Sequence, residues 1–264
     1  SNNSIIVECG EKSKVVDYQD MYETTINYQT YSQQVTGFDG EGQLTSAINY
    51  VISEDMPVLY TLTGHEELSM SESMKETIQK SNIEIRDLNL LTEETVPEDT
   101  ACLFIFSPKT DIAAEEAEKI IGYLENGGKA IIVSDYTEIE MPNFNSVLEN
   151  YGVQPENGIV LEGDEEHYIA QNQYYLLPNI ESNEITSNLS SKSKYILTAL
   201  SPSIKSLENV RDTIKIDSIL LTFDSAYEKT DLANMETTEK EEGDLEGPFP
   251  LAVSITEELG EDKK

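Results

Sequence analysis

The chain has 264 residues, of which 38% are hydrophobic and 26% charged, so it is long and apolar enough to fill a folded core. Its 51 acidic residues outnumber its 17 Lys and Arg residues, for a formal net charge of −34. Such a surface repels phosphate groups, which excludes nucleic acid as a partner and disfavours direct adhesion to an anionic membrane. The charge is interpreted as a source of solubility, with a low-affinity calcium surface or a cationic partner as the alternative.

The first segment, residues 1–36, is predicted to form a hairpin and an irregular stretch packed on the core. Alternating residues predict strands at Ile5–Glu8 and Lys14–Tyr18 around a Cys-Gly-Glu-Lys turn. Asp20–Thr36 is rich in Tyr, Thr and Gln, shows only weak periodicity, and is interpreted as irregular. A tyrosine-lined ligand surface is the alternative for this stretch.

Residues 37–200 are predicted to form an α/β core, because helical and strand patterns alternate along them. Apolar residues at helical spacing predict a helix over Asp39–Asp55. A second helix is predicted at Ser69–Lys80, with Met74 and Ile78 facing inward. The remaining predicted elements are a helix at Asn143–Tyr151 and strands at Val58–Leu62, Ile83–Leu88, Ile159–Leu161 and Tyr195–Leu200.

The clearest pattern in the core is a strand–helix–strand unit between Cys102 and Asp135. Continuous apolar runs predict buried strands at Cys102–Ser107 and Ala130–Val133. Asp111 is predicted to cap the intervening helix, and Gly127-Gly128 to end it. The apolar stripe of this helix comprises Ala117, Ile120, Ile121 and Leu124. Such a unit is expected to be a right-handed parallel crossover.

The last segment, residues 201–264, is predicted to be a looser α+β portion of the same compact unit. Strands are predicted at Ser218–Phe223 and Leu251–Thr256. The acidic loop 224–246 between them holds nine acidic residues and two lysines, and is predicted to be a mobile insertion. The whole chain is therefore predicted to have an α/β fold with a mainly parallel sheet, flanking helices and a small N-terminal β element.

In an open α/β sheet, ligands bind beyond the carboxyl ends of the strands. The loops predicted to lie there are Thr63–Glu67, Ser107–Asp111 and Asp135–Glu140. They supply a mixture of acidic, basic and anion-binding groups. The candidate ligand-binding residues are Gly64, His65, Glu66, Lys109, Asp111 and Asp135.

His65 is the main candidate for chemistry, as a metal ligand or general base, and a structural or capping role is the alternative. Its sequence neighbourhood has no second histidine at a metal-binding spacing, so no metal site and no cofactor are predicted. Nucleophilic catalysis would use Ser107 with His65. The sequence has no G-x-S-x-G motif, however, and Pro108 follows Ser107 where a nucleophile's helix would begin. His167 is expected to lie on the surface.

Several segments together carry a family resemblance. Thr36–Glu41 with Leu44–Ile48 resembles an F-x-G-E-x-x-L-T-x-A-I pattern, and Pro57–Glu67 (PVLYTLTGHEE) resembles a P-x-h-Y-h-L-T-G-H-x-E strand and turn. Both patterns are those of GldG-type proteins. Further similar segments lie at 96–99, 108–111, 123–129, 145–152, 174–180 and 247–253. The likeness extends over roughly residues 5–256, and its specificity lies in the combination.

GldG-type proteins are auxiliary subunits of ABC-type transport systems, named from gliding-motility machinery. The resemblance implies a Rossmann-like or class I glutamine-amidotransferase-like fold, related to intraflagellar-transport domains. It implies a soluble domain of a membrane-anchored bacterial protein, on the extracytoplasmic face of the cell membrane. ABC permease and ATPase subunits are the implied partners, and contact with the membrane would be made only through anchors outside this chain.

Amidotransferases of this fold use a Cys at a strand–helix elbow, and neither Cys9 nor Cys102 lies in such a turn. The sequence therefore favours a non-enzymatic accessory domain that binds a protein, an extracellular polymer or a small ligand. Two alternatives stay open. One is a hydrolase or amidotransferase-like enzyme, and the other is a sugar- or peptide-binding module, each using the carboxyl edge of the sheet.

Overall fold

The computed structural model of the chain describes residues 3–27, 32–53, 55–190 and 194–260. Its helices are α1 (Gly40–Ile52), α2 (Glu72–Lys80), α3 (Ala114–Glu125), α4 (Pro142–Asn150) and α5 (Ser187–Ser190). Its first nine strands are β1 (Ser4–Cys9), β2 (Lys12–Asp17), β3 (Tyr22–Asn27), β4 (Ser32–Phe38), β5 (Val58–Leu62), β6 (Glu84–Leu88), β7 (Thr100–Phe106), β8 (Ala130–Val133) and β9 (Val153–Pro155). The others are β10 (Ile159–Glu162), β11 (Tyr175–Leu176), β12 (Asn179–Ile180), β13 (Thr198–Ala199), β14 (Ile204–Ser206), β15 (Ile214–Leu221), β16 (Ala226–Lys229), β17 (Leu245–Glu246) and β18 (Pro250–Glu257).

The chain divides into two compact units, each assembled from several segments. The N-terminal unit comprises Ser1–Leu62, Ser69–Leu88 and Pro97–Phe104. The C-terminal unit comprises Thr63–Leu68, Asn89–Val96 and Ile105–Lys264. The loops that follow β5, β6 and β7 all belong to the C-terminal unit. The division of the chain at residues 36 and 200 stays a prediction.

The N-terminal unit begins with two pairs of antiparallel strands. The predicted hairpin is confirmed as β1–β2, with Ser4 opposite Asp17 and Cys9 opposite Lys12. The interpretation of Asp20–Thr36 as irregular is wrong, because β3 and β4 form an antiparallel pair over much of this stretch. A register shift after Glu23 interrupts the alternation of side chains along β3. The sequence therefore lacks the regular period of two residues that indicates a strand. Residues 28–31 of that stretch lie outside the described residues.

The two helices of the N-terminal unit differ in how well their sequences predict them. Helix α1 is confirmed, and its Ala47 packs in a small core with Val16 and Met21. Helix α2 begins three residues later than predicted, because the Ser71 side chain accepts a hydrogen bond from the Met74 N–H at 3.2 Å and so caps it. The inward orientation predicted for Met74 is wrong, since this residue is 39% exposed and α2 has no buried residue.

A four-stranded sheet has the order β6-β5-β7-β8. Strand β5 pairs in parallel with both β6 and β7, which confirms parallel pairing for these strands. The predicted bounds of β5 and β8 are those observed. The Rossmann-like or amidotransferase-like relationship stays a prediction, as does the right-handed crossover from β7 to β8.

The second half of the chain is built from small antiparallel sheets. One has the order β12-β15-β18 and another the order β10-β16-β17, while β9 pairs with β14 and β11 with β13. Their core includes the buried side chains of Val160, Leu176, Ala226 and Phe249. Strand β18 confirms the prediction at Leu251–Thr256. The strand predicted at Tyr195–Leu200 shrinks to the two residues of β13.

The prediction that the acidic segment 224–246 is a mobile insertion fails at β16. All four residues of β16 are buried, and this strand pairs with β10 on one side and β17 on the other. Its two charged residues are accommodated by specific partners. Lys229 pairs with Glu241 and Asp244, and Glu228 accepts hydrogen bonds from Ser203. The prediction is wrong because burial of β16 depends on partners distant in sequence.

Glu228 provides a test of this burial by pH. Burial raises the pKa of Glu228 above its ordinary value of 4.5, the hydrogen bonds from the Ser203 hydroxyl and N–H lower it less, and nearby Glu156 raises it slightly. A raised pKa means that the folded state holds the proton more tightly than the unfolded state. The stabilising contribution is therefore full below pH 4.5 and is lost as pH rises through the folded-state pKa.

We expect Glu228→Gln to become more stable relative to the parent as pH rises from about 4.5 to 7, by ~1.4 kcal/mol for each unit by which the pKa is raised. Gln keeps an oxygen to accept the Ser203 N–H, so the variant preserves the local geometry. Urea denaturation of both proteins at several pH values measures the difference, and subtraction cancels the titration of the other carboxylates. A stability difference that does not change over this range would contradict the prediction.

Candidate functional site

The predicted site residues lie in the loops after β5, β7 and β8, all within the C-terminal unit. His65 is only 5% exposed. Its Nδ1 lies 3.1 Å from Glu67 Oε1, and its Nε2 lies 3.0 Å from Glu116 Oε2. The other oxygen of Glu67 accepts the backbone N–H of His65 at 2.9 Å. The imidazole is thus held between two carboxylates.

Glu116 is the more buried of the two carboxylates, at 1% exposure. It lies in the first turn of α3, where its Oε2 also accepts the Ala113 N–H at 2.9 Å. This contact satisfies one of the free N–H groups at the start of the helix and places a negative charge near its positive end. Its Oε1 is buried with no hydrogen-bond partner among the described residues.

The surroundings of His65 limit its chemistry. Each ring nitrogen already faces a carboxylate oxygen, and both nitrogens can donate at once only when the ring carries two protons. Because the ring is buried and both nitrogens face carboxylate oxygens of the protein, neither nitrogen is open to a substrate or a metal ion. Across the described ranges, no group of three or more His, Cys, Asp and Glu side chains is arranged to hold a metal ion.

The neighbours of His65 in its turn have different roles. Gly64 has φ +125°, a conformation that favours glycine. Glu66 has φ +57° and is exposed, and its carboxylate is not one of the two that hold the imidazole. The carbonyl of His65 accepts the N–H groups of Lys109 and Thr110 at 2.8 and 3.3 Å, which ties the turn to the loop after β7.

Lys109 and Asp135 are brought together at this edge, with Lys109 Nζ 2.8 Å from Asp135 Oδ2. The two side chains are 37% and 46% exposed. An exposed ion pair of this kind contributes less than about 1 kcal/mol to stability. The ion pair lies on the surface at the carboxyl end of β8, whereas the His65 cluster is buried.

The sequence predicts that Asp111 caps α3, and this prediction is wrong. Helix α3 begins after Ala113, two residues further along the chain. The Asp111 carboxylate instead accepts the backbone N–H groups of Asn143 and Phe144, at 3.1 and 2.9 Å, and the Asn143 amide at 3.0 Å. It therefore caps α4 from a distant part of the chain. Sequence spacing can indicate only a cap that is local in the chain. Asp111 caps α4 through a tertiary contact, so the spacing does not predict it.

We expect Asp111→Ala to lower the free energy of unfolding by about 2 kcal/mol, because two N–H groups in the first turn of α4 lose their acceptor. Hydrogen exchange at Asn143 and Phe144 should become faster. Asp135→Ala is the matched control, since it removes a carboxylate of the same loops whose ion pair is exposed, and should cost less than about 1 kcal/mol. Equal losses in the two variants would argue against the capping role.

Ser107 occupies an unusual position at the end of β7. Its φ is +48°, which is uncommon for a residue other than glycine, and it is 1% exposed. Its N–H donates to the Val133 carbonyl at 2.8 Å. Its hydroxyl has no hydrogen-bond partner among the described residues. A strained, buried and unpaired hydroxyl is a feature that functional sites often show.

The sequence indicates His65 as a candidate, but it does not indicate the two carboxylates that hold the ring. Glu67 lies in the same turn as Glu66, and the sequence alone does not tell which of the two turns inward. Glu116 occupies the third position of α3, where an acidic side chain can reach back to the N-cap N–H. That position was the available signal, but the N-cap residue is Ala113, which lacks the side chain that usually marks a capping box.

The chain matches, over residues 56–261, the family described as "ABC-type uncharacterized transport system", the ABC transport auxiliary family. No curated protein matches it. Among solved structures, a similar chain is that of the mmIFT52 N-terminal domain, with 16% identity and a TM-score of 0.49. The similarity covers 64% of this chain and 74% of that one. Among the described residues, no helix has both the length and the apolar character needed to span a bilayer.

Proposed function

We propose that this chain, which belongs to the ABC transport auxiliary family, is a non-enzymatic accessory domain that acts by binding a protein or a ligand. Family membership makes it an auxiliary component of an ABC-type transport system. The permease and ATPase subunits of the same system are the partners that this role implies. A position on the extracytoplasmic face, and the narrower GldG-type assignment, are supported by the motifs at 36–48 and 57–67.

The observation that carries the non-enzymatic role is the enclosure of His65. A general base must present a free nitrogen to the proton that it abstracts. His65 is buried, and both of its ring nitrogens lie within 3.1 Å of a carboxylate oxygen. This arrangement suits a structural element that joins the turn after β5 to the start of α3.

The test is purification of the full-length protein from its native membranes in mild detergent, with the co-purifying proteins identified by mass spectrometry. We expect an ABC permease and its ATPase in stoichiometric amounts. An abundant, unrelated membrane protein serves as the control for carry-over. Recovery of the protein without the permease, from membranes in which the permease is present, would contradict the proposed role.

Hydrolysis is the second candidate function, and it is favoured by the strained and unpaired Ser107. A positive φ at the end of a central strand is the backbone geometry of a nucleophile elbow. The engaged ring of His65 argues against it, because Ser107 would need another base.

A fluorophosphonate probe tests this alternative, since it modifies only activated serine hydroxyls. We expect no labelling of the parent protein, as judged by intact mass. Stoichiometric labelling that disappears in Ser107→Ala would instead establish a nucleophilic serine and overturn the non-enzymatic proposal.

A further inference from the structure

A cavity of about 460 Å³ opens beside the loop that follows β8, in the C-terminal unit. Its volume lies within the range of small-molecule sites. It is bounded by the loop 134–141, by one face of α4 and by the end of β9. Pro142, Asn145 and Glu149 contribute from α4 at a spacing that places them on the same helical face.

The walls of the cavity combine apolar and hydrogen-bonding groups. Ile139 is 53% exposed at the wall, and Pro142, Pro155 and Pro202 add further apolar surface. Amide side chains come from Asn145, Gln154 and Asn157, and a phenol comes from Tyr136. A ligand that fits this lining must carry hydrocarbon as well as a polar group.

The charged groups of the cavity are all carboxylates. Asp135 is paired with Lys109, and Glu156 with Lys205 at 3.2 Å. The other three are Glu138, Glu140 and Glu149. No hydrogen bond or ion pair of their side chains is found within residues 55–190 and 194–260. The cavity therefore has an excess of negative charge that the protein itself does not compensate.

We infer that this cavity binds an organic ammonium ligand, with the hydrocarbon part against Ile139 and Pro142 and the charge facing Glu138 and Glu149. A metal ion is the poorer match, because nowhere in the described part of the chain do three metal-binding side chains converge. Apolar walls next to unpaired carboxylates suit a cation that carries its own hydrocarbon. The inference deepens the ligand-binding part of the proposed function and rests on it, but it does not depend on the partner subunits.

The test is titration of the isotopically labelled protein with hexylammonium, followed by NMR of the backbone amides. The titration is done at 150 mM salt, where the Debye length is about 8 Å and charges farther apart than this are largely screened. We expect saturable shifts confined to residues 134–149 and 154–157, and much weaker shifts with hexan-1-ol, which has the same chain without the charge. Glu138→Gln/Glu149→Gln should bind hexylammonium about tenfold or more weakly.

Glu76→Gln/Glu118→Gln is the matched control, because both residues are exposed, lie on helices and do not line the cavity. It changes the net charge by the same amount and should bind as the parent does. Equal weakening in the two double variants, shifts scattered over the surface, or equal binding of hexan-1-ol would each overturn the inference. Amine binding without permease recovery would refute only the transport role, and permease recovery without amine binding would refute only this inference.

Discussion

Replacing Lys229 by Met is expected to lower the free energy of unfolding of the C-terminal unit by about 3 kcal/mol. The Lys229 side chain is 3% exposed, with Nζ 2.8 Å from Glu241 Oε2 and 3.1 Å from Asp244 Oδ2. Burial lowers the pKa of Lys229, but the hydrogen bonds to the two carboxylates outweigh burial and raise it above 10.5 overall. The stabilising contribution is therefore fully present at neutral pH and is lost only as pH rises through that raised value.

Lys240→Met is the matched control, because Lys240 lies in the same acidic segment and pairs with Glu246 at 2.8 Å, but both side chains are exposed. Its loss should stay below about 1 kcal/mol. The double variant Lys229→Met/Asp244→Asn should recover part of the loss, since it also removes the charge of Asp244, the less exposed of the two carboxylates that lose their counter-ion. Chemical denaturation monitored by circular dichroism measures all three. Similar losses for the two lysines would show that burial of β16 does not depend on its ion pairs.

Replacing Glu116 by Ala is expected to cost about 3 kcal/mol, because the buried His65 ring and the Ala113 N–H lose the same carboxylate partner. His65 Nε2 loses the carboxylate at 3.0 Å, and the Ala113 N–H at the start of α3 loses its acceptor at 2.9 Å. We also expect faster hydrogen exchange in the first turn of α3 and at Lys109 and Thr110, whose N–H groups bond to the His65 carbonyl. Denaturation and hydrogen exchange give independent measures of the change.

Glu115→Ala is the control for this variant. Glu115 is the preceding residue of the same helical turn, but it is exposed, so its replacement should change stability by less than about 0.5 kcal/mol. Glu116→Gln should fall between the two, since it keeps an oxygen for the Ala113 N–H but loses the charge beside His65. If Glu115→Ala and Glu116→Ala have equal effects, the structural role assigned to the His65 cluster is wrong.

The structure separates two parts of the predicted site that the sequence could not distinguish. His65 is withdrawn into a buried cluster with Glu67 and Glu116, whereas Asp135 lies on the surface and lines the cavity beside α4. The first arrangement supports a structural role and the second a binding role. The proposed binding function therefore rests on the loop after β8 and not on His65.

Elements in the first half of the chain were predictable because their signals are local. The apolar stripe of α3, its stop at Gly127 with φ +90° and the bounds of β5 and β8 follow from spacing and from the conformational freedom of glycine. These properties depend on residues within a few positions of each other. The sequence therefore determined the order of these elements, and their parallel pairing through β5 was a sound expectation.

Other features were decided only by tertiary structure, because their causes lie far apart in the chain. Strand β16 is buried in an acidic segment since it pairs with β10, whose sequence position is more than 60 residues away. Asp111 caps α4 from about 30 residues upstream, and Glu116 is 51 residues from the histidine that it holds. A charged residue appears solvent-exposed in a sequence until its partner is known, because only the folded chain brings donor and acceptor close enough to offset the cost of burial.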